Sequence, residues 1–125
     1  MIPKYRMWNR ITSKLHRVDG LYFDNKEVQY IDEVGILRFI KFENTILMQS
    51  TGLRDKNGKE IFDGDILFGH AGEDFWEVVE FDEADGKWVR KDLCYYSKLD
   101  LSENNELMEI VGNIYENPEF LEVEI

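Results

Sequence analysis

The feature that most constrains this chain is a succession of short apolar segments separated by residues that favour tight turns. Asn-Gly and Asp-Gly dipeptides join strands in the shortest hairpins, because their residues tolerate a positive φ. The turn signals are Asp19-Gly20, Asn57-Gly58, Asp63-Gly64 and the polar run at 82–86. No strand-like segment precedes a long amphipathic helix, which a parallel α/β sheet would require. The sequence therefore predicts a mainly β fold, a small barrel or sandwich.

One or two short helices are expected at the polar breaks between the strands. Ser102 is a candidate N-cap for a helix over 102–108. Asn117 and Pro118 suit the N-cap and the first position of a C-terminal helix, with Glu119 in its first turn. Residues 36–49 are compatible either with strands or with strands and a short helix.

Composition excludes several classes of protein. The 125 residues are 43% hydrophobic and 14% aromatic, enough for a real core and too apolar for a disordered acidic tail. The net charge of −11 argues against general affinity for nucleic acids or anionic membranes. No apolar run approaches the ~20 residues of a membrane-spanning helix, and the first ten residues lack the apolar stretch of a signal peptide. The single cysteine, Cys94, cannot form an intrachain disulfide, so we expect a cytoplasmic protein.

The charge is unevenly distributed along the chain. Residues 1–20 carry a net charge of +4, whereas residues 21–125 carry −15. The simpler interpretation is that the basic start packs near the acidic end and partly neutralises it. Alternatively, the acidic surface binds a partner, and the basic start contacts nucleic acid. The candidate nucleic-acid contacts are Arg6, Arg10, Lys14 and Arg17.

The best candidate metal ligands are Asp63 and Asp65, because side chains two residues apart in an extended segment point to the same face. Carboxylates are ligands that divalent cations such as Ca²⁺ and Mg²⁺ accept. A turn that opens a strand explains the same pair equally well. The segment that starts at Asp55 resembles a calcium loop only briefly, since Lys59 and Glu60 occupy its fifth and sixth positions.

No catalytic constellation is evident. Cys94 would need a histidine as base, and nothing in the sequence brings His16 or His70 to it. A buried structural role for Cys94 is therefore favoured. There is no nucleophile elbow, phosphate-binding loop or dinucleotide fingerprint. We expect no cofactor.

The aromatic residues favour a core or a protein interface over a platform for single-stranded nucleic acid. Such a platform needs a basic groove beside it. Residues 73–85, which include Trp76, instead carry seven acids and no basic residue. An exposed strand edge with aromatic side chains is a docking site for another chain, so we also expect a homo-oligomer.

Four segments, taken in order, resemble the YopX family, which is encoded largely by phages and prophages. They are KYRMWN at 4–9, VDGL at 18–21, LMQSTGLRDKNGKEIFDGDI at 47–66 and EIVGNIYENP at 109–118. Two positions depart from the family pattern: Asn9 stands in place of the usual Asp, and Ser50 in place of an aromatic residue. The positions that carry the resemblance, which we interpret as structural, are Trp8, Gly20, Gly52, Asp55, Asn57, Gly58, Gly64, Asp65, Gly112, Asn113, Tyr115, Asn117 and Pro118.

The resemblance implies one domain over residues 1–125. An SH3-like barrel is expected at 46–115, with residues 1–45 as additional strands packed on it and 116–125 as a C-terminal tail with a short helix. No catalytic activity is implied.

The leading hypothesis is a non-enzymatic phage or prophage accessory protein in the bacterial cytoplasm. Its expected partners are proteins, either a second copy of itself or a host or phage protein. We expect no contact with a membrane. A nucleic-acid-related role, by direct binding or by phosphate mimicry, is the first alternative. A metal-assisted hydrolase that uses Asp63 and Asp65 is the second.

Overall fold

The computed structural model describes residues 4–93 and 97–121, so Cys94, Tyr95 and Tyr96 lie outside the described residues. The chain divides into two compact units, Met1–Gln49 and Ser50–Ile125. More than half of the described residues lie in strands, and the remaining regular structure consists of short 3-10 helices. The predicted mainly β fold is therefore confirmed.

The first unit is an antiparallel sheet with the strand order β4-β3-β2-β1-β5. Its elements are β1 (Tyr5–Asn9), β2 (Lys14–Tyr22), β3 (Glu27–Ile31), β4 (Leu37–Lys41), a first 3-10 helix (Phe42–Asn44) and the first half of β5 (Thr45–Arg54). One face of the sheet carries the apolar core, formed by Met7, Val28, Tyr30 and Ile40. The 3-10 helix lies within 36–49, where the sequence left both possibilities open.

Two polar features shape the hairpins of this unit. The buried Asn9 ends β1, and its side-chain oxygen accepts hydrogen bonds from the amides of Ile11 (2.9 Å) and Thr12 (3.1 Å). An aspartate at this position would accept the same bonds, so the departure from the family pattern leaves the turn intact. The turn predicted at Asp19-Gly20 is wrong: β2 continues through it with a bulge between Val18 and Gly20. Phe23 and Lys26 form the turn instead, three residues later.

The second unit contains an antiparallel sheet with the order β10-β9-β8-β7-β11. The strands of the whole unit are the second half of β5, which pairs with β6 (Glu60–Phe62), and the five strands of the sheet. The sheet strands are β7 (Asp65–His70), β8 (Asp74–Asp82), β9 (Lys87–Asp92), β10 (Lys98–Asp100) and β11 (Glu109–Asn113). Two further 3-10 helices are Asn105–Leu107 and Pro118–Leu121. The buried core consists of Ile61, Leu67, Val79, Leu101 and Met108.

The sheet of the second unit is open, not the closed barrel that the resemblance implied. The edge strands of this sheet are β10 and β11, and in the described part of the chain no ladder joins them. The edge strand β10 is only three residues long, and β11 is interrupted by a register shift between Ile110 and Gly112.

The two helix starts predicted in this unit differ in outcome. Pro118 begins a 3-10 helix directly after Asn117, as the sequence indicated. Ser102 caps no helix: its amide and hydroxyl both donate to Asp100, and the helix begins only at Asn105. The Ser102 hydroxyl is therefore bonded back to Asp100, whereas an N-cap hydroxyl accepts an amide of the following turn.

Asp55 ties the turn between β5 and β6 to the distant strand β11. Its Oδ1 accepts the amides of Asn57 and Lys59, both at 2.9 Å, and its Oδ2 accepts the amide of Ile110 at 3.0 Å. The side chain is only 3% exposed. Because a buried amide without an acceptor costs about 1–3 kcal/mol, this one carboxylate supports two separate parts of the unit.

We expect Asp55→Ala to lower the free energy of unfolding by about 2–4 kcal/mol, since three amides lose their acceptor at once. Urea denaturation followed by tryptophan fluorescence measures the change. Asp85→Ala removes an exposed acid from the turn between β8 and β9 and is the matched control, with an expected effect within about 0.5 kcal/mol. Equal losses for the two variants would contradict this role of Asp55.

Candidate functional site

A cleft of about 860 Å³ lies on the second unit. The ladders explain why its side chains meet. Glu77 lies opposite Asp92, and Arg90 lies opposite both Val79 and Leu99, so these residues share one face of β8, β9 and β10. The chain at 104–108 and at 119–120 lines the cleft as well.

An ion pair lies in the lining of the cleft. The Arg90 Nη1 donates to Glu77 Oε1 at 2.6 Å, with the two side chains 6% and 2% exposed. The Nε of Arg90 is shielded from solvent and has no hydrogen-bond partner among the described residues. Burial raises the pKa of the Glu77 carboxyl, and the Arg90 guanidinium opposes this without cancelling it. The pair therefore neutralises itself and leaves little charge for a ligand.

The remaining lining is largely apolar. It includes Phe75, Leu93, Leu99, Leu107, Met108 and Phe120. Two of these side chains are accessible: Leu99 is 44% exposed and Leu107 is 71% exposed. Gly69 packs closely behind this wall, because a Cβ there would lie 2.5 Å from the Phe75 ring and 2.7 Å from the Met108 sulfur and would force these side chains to shift.

Acidic side chains dominate the polar part of the cleft. Glu73, Asp74, Asp92 and Glu119 line it together with the Glu77–Arg90 pair, which gives a formal charge of −4 with His70 neutral. Asp74 contacts the Nδ1 of His70 at 2.7 Å, and both side chains are more than half exposed. The combination of an apolar wall and an acidic rim suits a cationic ligand with an apolar part.

The described residues of the cleft contain no nucleophile bonded to the His70–Asp74 pair. Ser97 lines the cleft, but no hydrogen bond joins Ser97 to His70 in the described part of the chain, as a nucleophile–base pair would need. Across residues 4–93 and 97–121, no three or more histidine, cysteine or acidic side chains are grouped so that they could hold a metal ion. No helix in those residues is long and apolar enough to cross a membrane.

The two candidate metal ligands, Asp63 and Asp65, lie outside the cleft. The Oδ2 of Asp65 accepts the amide of Phe62 at 2.8 Å, and its side chain is 1% exposed at the start of β7. Asp63 is half-buried beside Tyr115, where burial and then the Asp63 charge raise the pKa of the tyrosine hydroxyl. Asp65 thus supports the turn between β6 and β7.

The family-like segment at 109–118 ends in a compact turn after β11. Asn113 Oδ1 accepts the amides of Tyr115 (3.0 Å) and Glu116 (2.9 Å), and Asn117 Oδ1 accepts the amide of Asn113 at 3.2 Å. The Asn117 side chain lies so close to Gly112 that a Cβ there would overlap it. Pro118 then begins the last 3-10 helix.

The other residues that carry the resemblance occupy strands and turns. Trp8 is half-buried in β1, Gly52 lies in β5, Asn57 and Gly58 lie in the turn before β6, and Gly64 lies in the turn between β6 and β7. The Gly64 amide donates to the Val79 carbonyl at 2.9 Å. None of the motif residues lines the cleft.

The structure brings together only part of the basic start. Arg6 and Arg17 are direct cross-strand partners on β1 and β2. Lys14 instead pairs with Glu33 at 2.8 Å, and Arg10 donates to the Glu43 carbonyl at 3.4 Å. Two of the four candidate nucleic-acid contacts are therefore neighbours on the sheet, and Lys14 is engaged with an acid.

Sequence reasoning missed the cleft. The available signal was the alternation in β8, which places Glu77 between Phe75 and Val79 on the inward face. An acid on an inward face needs a buried cationic partner, and Arg90 is that partner. The contributions of Leu107 and Glu119 could not be inferred, because they depend on how two loops return to the sheet.

Comparison with known proteins places the chain in a family. The model of the YopX protein family matches residues 4–122, so the chain belongs to that family. A crystal structure of protein EF1440 from Enterococcus faecalis is similar, with 27% identity, a TM-score of 0.64 and coverage of 97% of this chain and 99% of the other. The crystal structure of protein yopX from Bacillus subtilis shares the fold at 20% identity, with a TM-score of 0.65 and 98% coverage of both chains. No match was found among curated proteins.

We expect Arg90→Met to lower the free energy of unfolding by about 3–5 kcal/mol at neutral pH, because the Glu77 carboxylate loses its partner while remaining buried. Replacing both residues, with Glu77→Leu and Arg90→Met, should recover most of the loss. Urea denaturation of both variants and the original chain measures this. A double variant as unstable as the single one would contradict the expectation.

The loss in the Arg90→Met variant should also depend on pH. Without the guanidinium, burial and then the Asp92 charge act on Glu77 unopposed, and its folded-state pKa rises further above the unfolded value of about 4.3. A raised folded-state pKa destabilises the protein as the pH rises through that window. The difference in unfolding free energy between the variant and the original chain should therefore be larger at pH 7 than at pH 4.5. A difference that does not change with pH would contradict this account of Glu77.

Proposed function

We propose that this protein is a non-enzymatic accessory protein of phages and prophages that acts through protein contacts in the bacterial cytoplasm. Membership of the YopX family supports the phage origin. The SH3-like character of the second unit stays a prediction from the family resemblance. The partner is a host or phage protein or a second copy of the chain.

The observation that carries this proposal is the cleft of the second unit. Its volume of about 860 Å³ falls within the range of about 300–1,000 Å³ typical of ligand sites. Leu99 and Leu107 present apolar surface in it. Exposed apolar surface rimmed by polar side chains is characteristic of protein interaction sites. Within the described residues of the lining, no hydrogen bond joins Ser97 to the His70–Asp74 pair, and no group of three or more possible metal ligands is present.

The two alternative functions have less support in the described residues. Of the basic start, only Arg6 and Arg17 are direct neighbours, and Lys14 is paired with Glu33. A nucleic-acid contact would thus depend on few phosphate-binding side chains. A metal-assisted hydrolase would depend on Asp63 and Asp65, and Asp65 is 1% exposed with an oxygen that accepts a backbone amide.

Site-specific photo-crosslinking in bacteria that carry the phage genes tests the proposal. A photoreactive phenylalanine analogue at Leu99, which lines the cleft, should give a covalent adduct with one defined protein. The same analogue at Phe81 is the matched control, since Phe81 lies on the same sheet outside the cleft and is 45% exposed against 44% for Leu99.

We expect an adduct at position 99 and none at position 81, with the captured protein identified by mass spectrometry and rebound in purified form. The same adducts at both positions, or none at either, would contradict a role for the cleft in protein contacts.

A further inference from the structure

The chemistry of the cleft also specifies its partner, on the basis of the proposed function. We infer that the cleft binds a short segment of a partner protein in which lysine or arginine residues flank one apolar side chain. The segment would place the apolar side chain against Leu99 and Leu107 and its cations at the acidic rim.

The apolar part of the segment is indicated by unfilled contact surface. Leu107 is 71% exposed at the end of a 3-10 helix, and Leu99 is 44% exposed on the edge strand β10. Phe75 and Met108 lie in the same lining, and Met108 is only 2% exposed. A partner side chain between the two leucines would gain about 25 cal/mol for each Å² of apolar surface that it removes from water.

The basic part is indicated by charge complementarity. Four carboxylates line the cleft besides the Glu77–Arg90 pair, and the lining has a formal charge of −4. Three of these carboxylates, those of Glu73, Asp74 and Glu119, belong to exposed side chains. Opposite charge at an interface accelerates association and excludes wrong partners.

The same geometry disfavours an anionic ligand. Arg90 contributes the only guanidinium or ammonium among the described residues that line the cleft. Its Nη1 is bonded to Glu77, and its Nε is shielded from solvent. His70, the other basic side chain of the described lining, contacts Asp74 at 2.7 Å, so a phosphate or carboxylate would meet acids at the rim and cations already paired with acids.

Fluorescence anisotropy with labelled synthetic peptides tests the inference on the full chain. The probe is a capped decapeptide with a central phenylalanine, two lysines on each side and neutral residues elsewhere. One matched peptide replaces the lysines by glutamate, and another replaces the phenylalanine by glycine. We expect binding of the first peptide only, with an affinity that falls at least about threefold between 50 and 300 mM NaCl because the rim charges are exposed.

Matched variants locate the binding. Glu73→Gln with Glu119→Gln removes two rim charges and should weaken the basic peptide about three- to tenfold, in line with exposed ion pairs. Glu83→Gln with Asp85→Asn removes two exposed acids of the turn between β8 and β9, outside the cleft, and should change the affinity less than about twofold. Leu107→Ser should weaken binding without loss of fold, since the side chain is mostly exposed.

The inference is overturned if the glutamate peptide binds as well as the lysine peptide, if both double variants weaken binding equally, or if no basic peptide binds up to millimolar concentration. An adduct at position 99 together with failure of the basic peptides would retain the proposed function and reject this partner chemistry. Peptide binding without any adduct would retain the partner chemistry and reject the proposed function.

Discussion

The contact between Glu77 and Arg90 is the constraint on which the candidate site depends. Pairing of β8 with β9 puts both side chains on the inward face, next to the apolar core. Each charge would be costly there alone, so the burial of each depends on the other. Because the guanidinium is occupied by Glu77, the acids around the cleft are left to determine its electrostatic character. A buried pair that contributes little net stability can therefore still determine the charge that the cleft presents.

A second carboxylate holds the frame around that site. Asp55 binds the amides of its own turn and that of Ile110, 55 residues later in the chain. The adjacent residue Lys56 donates its amide to the carbonyl of Met108, whose side chain lines the cleft. Hydrogen bonds thus join the family-like segment at 47–66 to the chain at 108–110. The turn that Asp55 stabilises is in this way connected to Met108 in the lining of the cleft.

The strands and several turns could be predicted from the sequence because their signals are local. Asn57-Gly58 and Asn117-Pro118 specify backbone geometry over a few residues, and the structure has turns and a helix start there. Asp19-Gly20 gave the same local signal but lies in a bulge, since pairing of β2 with β3 continues past it. Closure of a barrel is a long-range property, decided by whether β10 meets β11, and no local pattern reports it. The cleft also depends on long-range contacts, because Leu99, Leu107 and Glu119 meet only after the sheet is formed.

The family-like segments and the lining of the cleft occupy different parts of the sequence. The four segments that resemble the family, at 4–9, 18–21, 47–66 and 109–118, contribute none of the described residues that line the cleft, which lie within 70–77, 90–93, 97–99, 104–108 and 119–120. The recognisable segments specify turns and strand pairing, and the lining residues lie between them. The side chains of the lining acid Glu73 and of the apolar residue Leu107 are both exposed, so we expect their substitution to leave the turns of the unit intact. On the proposed function, substitutions in the lining would change the ligand preference of the cleft while the fold persists, so membership of the family does not identify the proposed partner. The charge and apolar surface of this chain's own cleft are what indicate a basic partner segment.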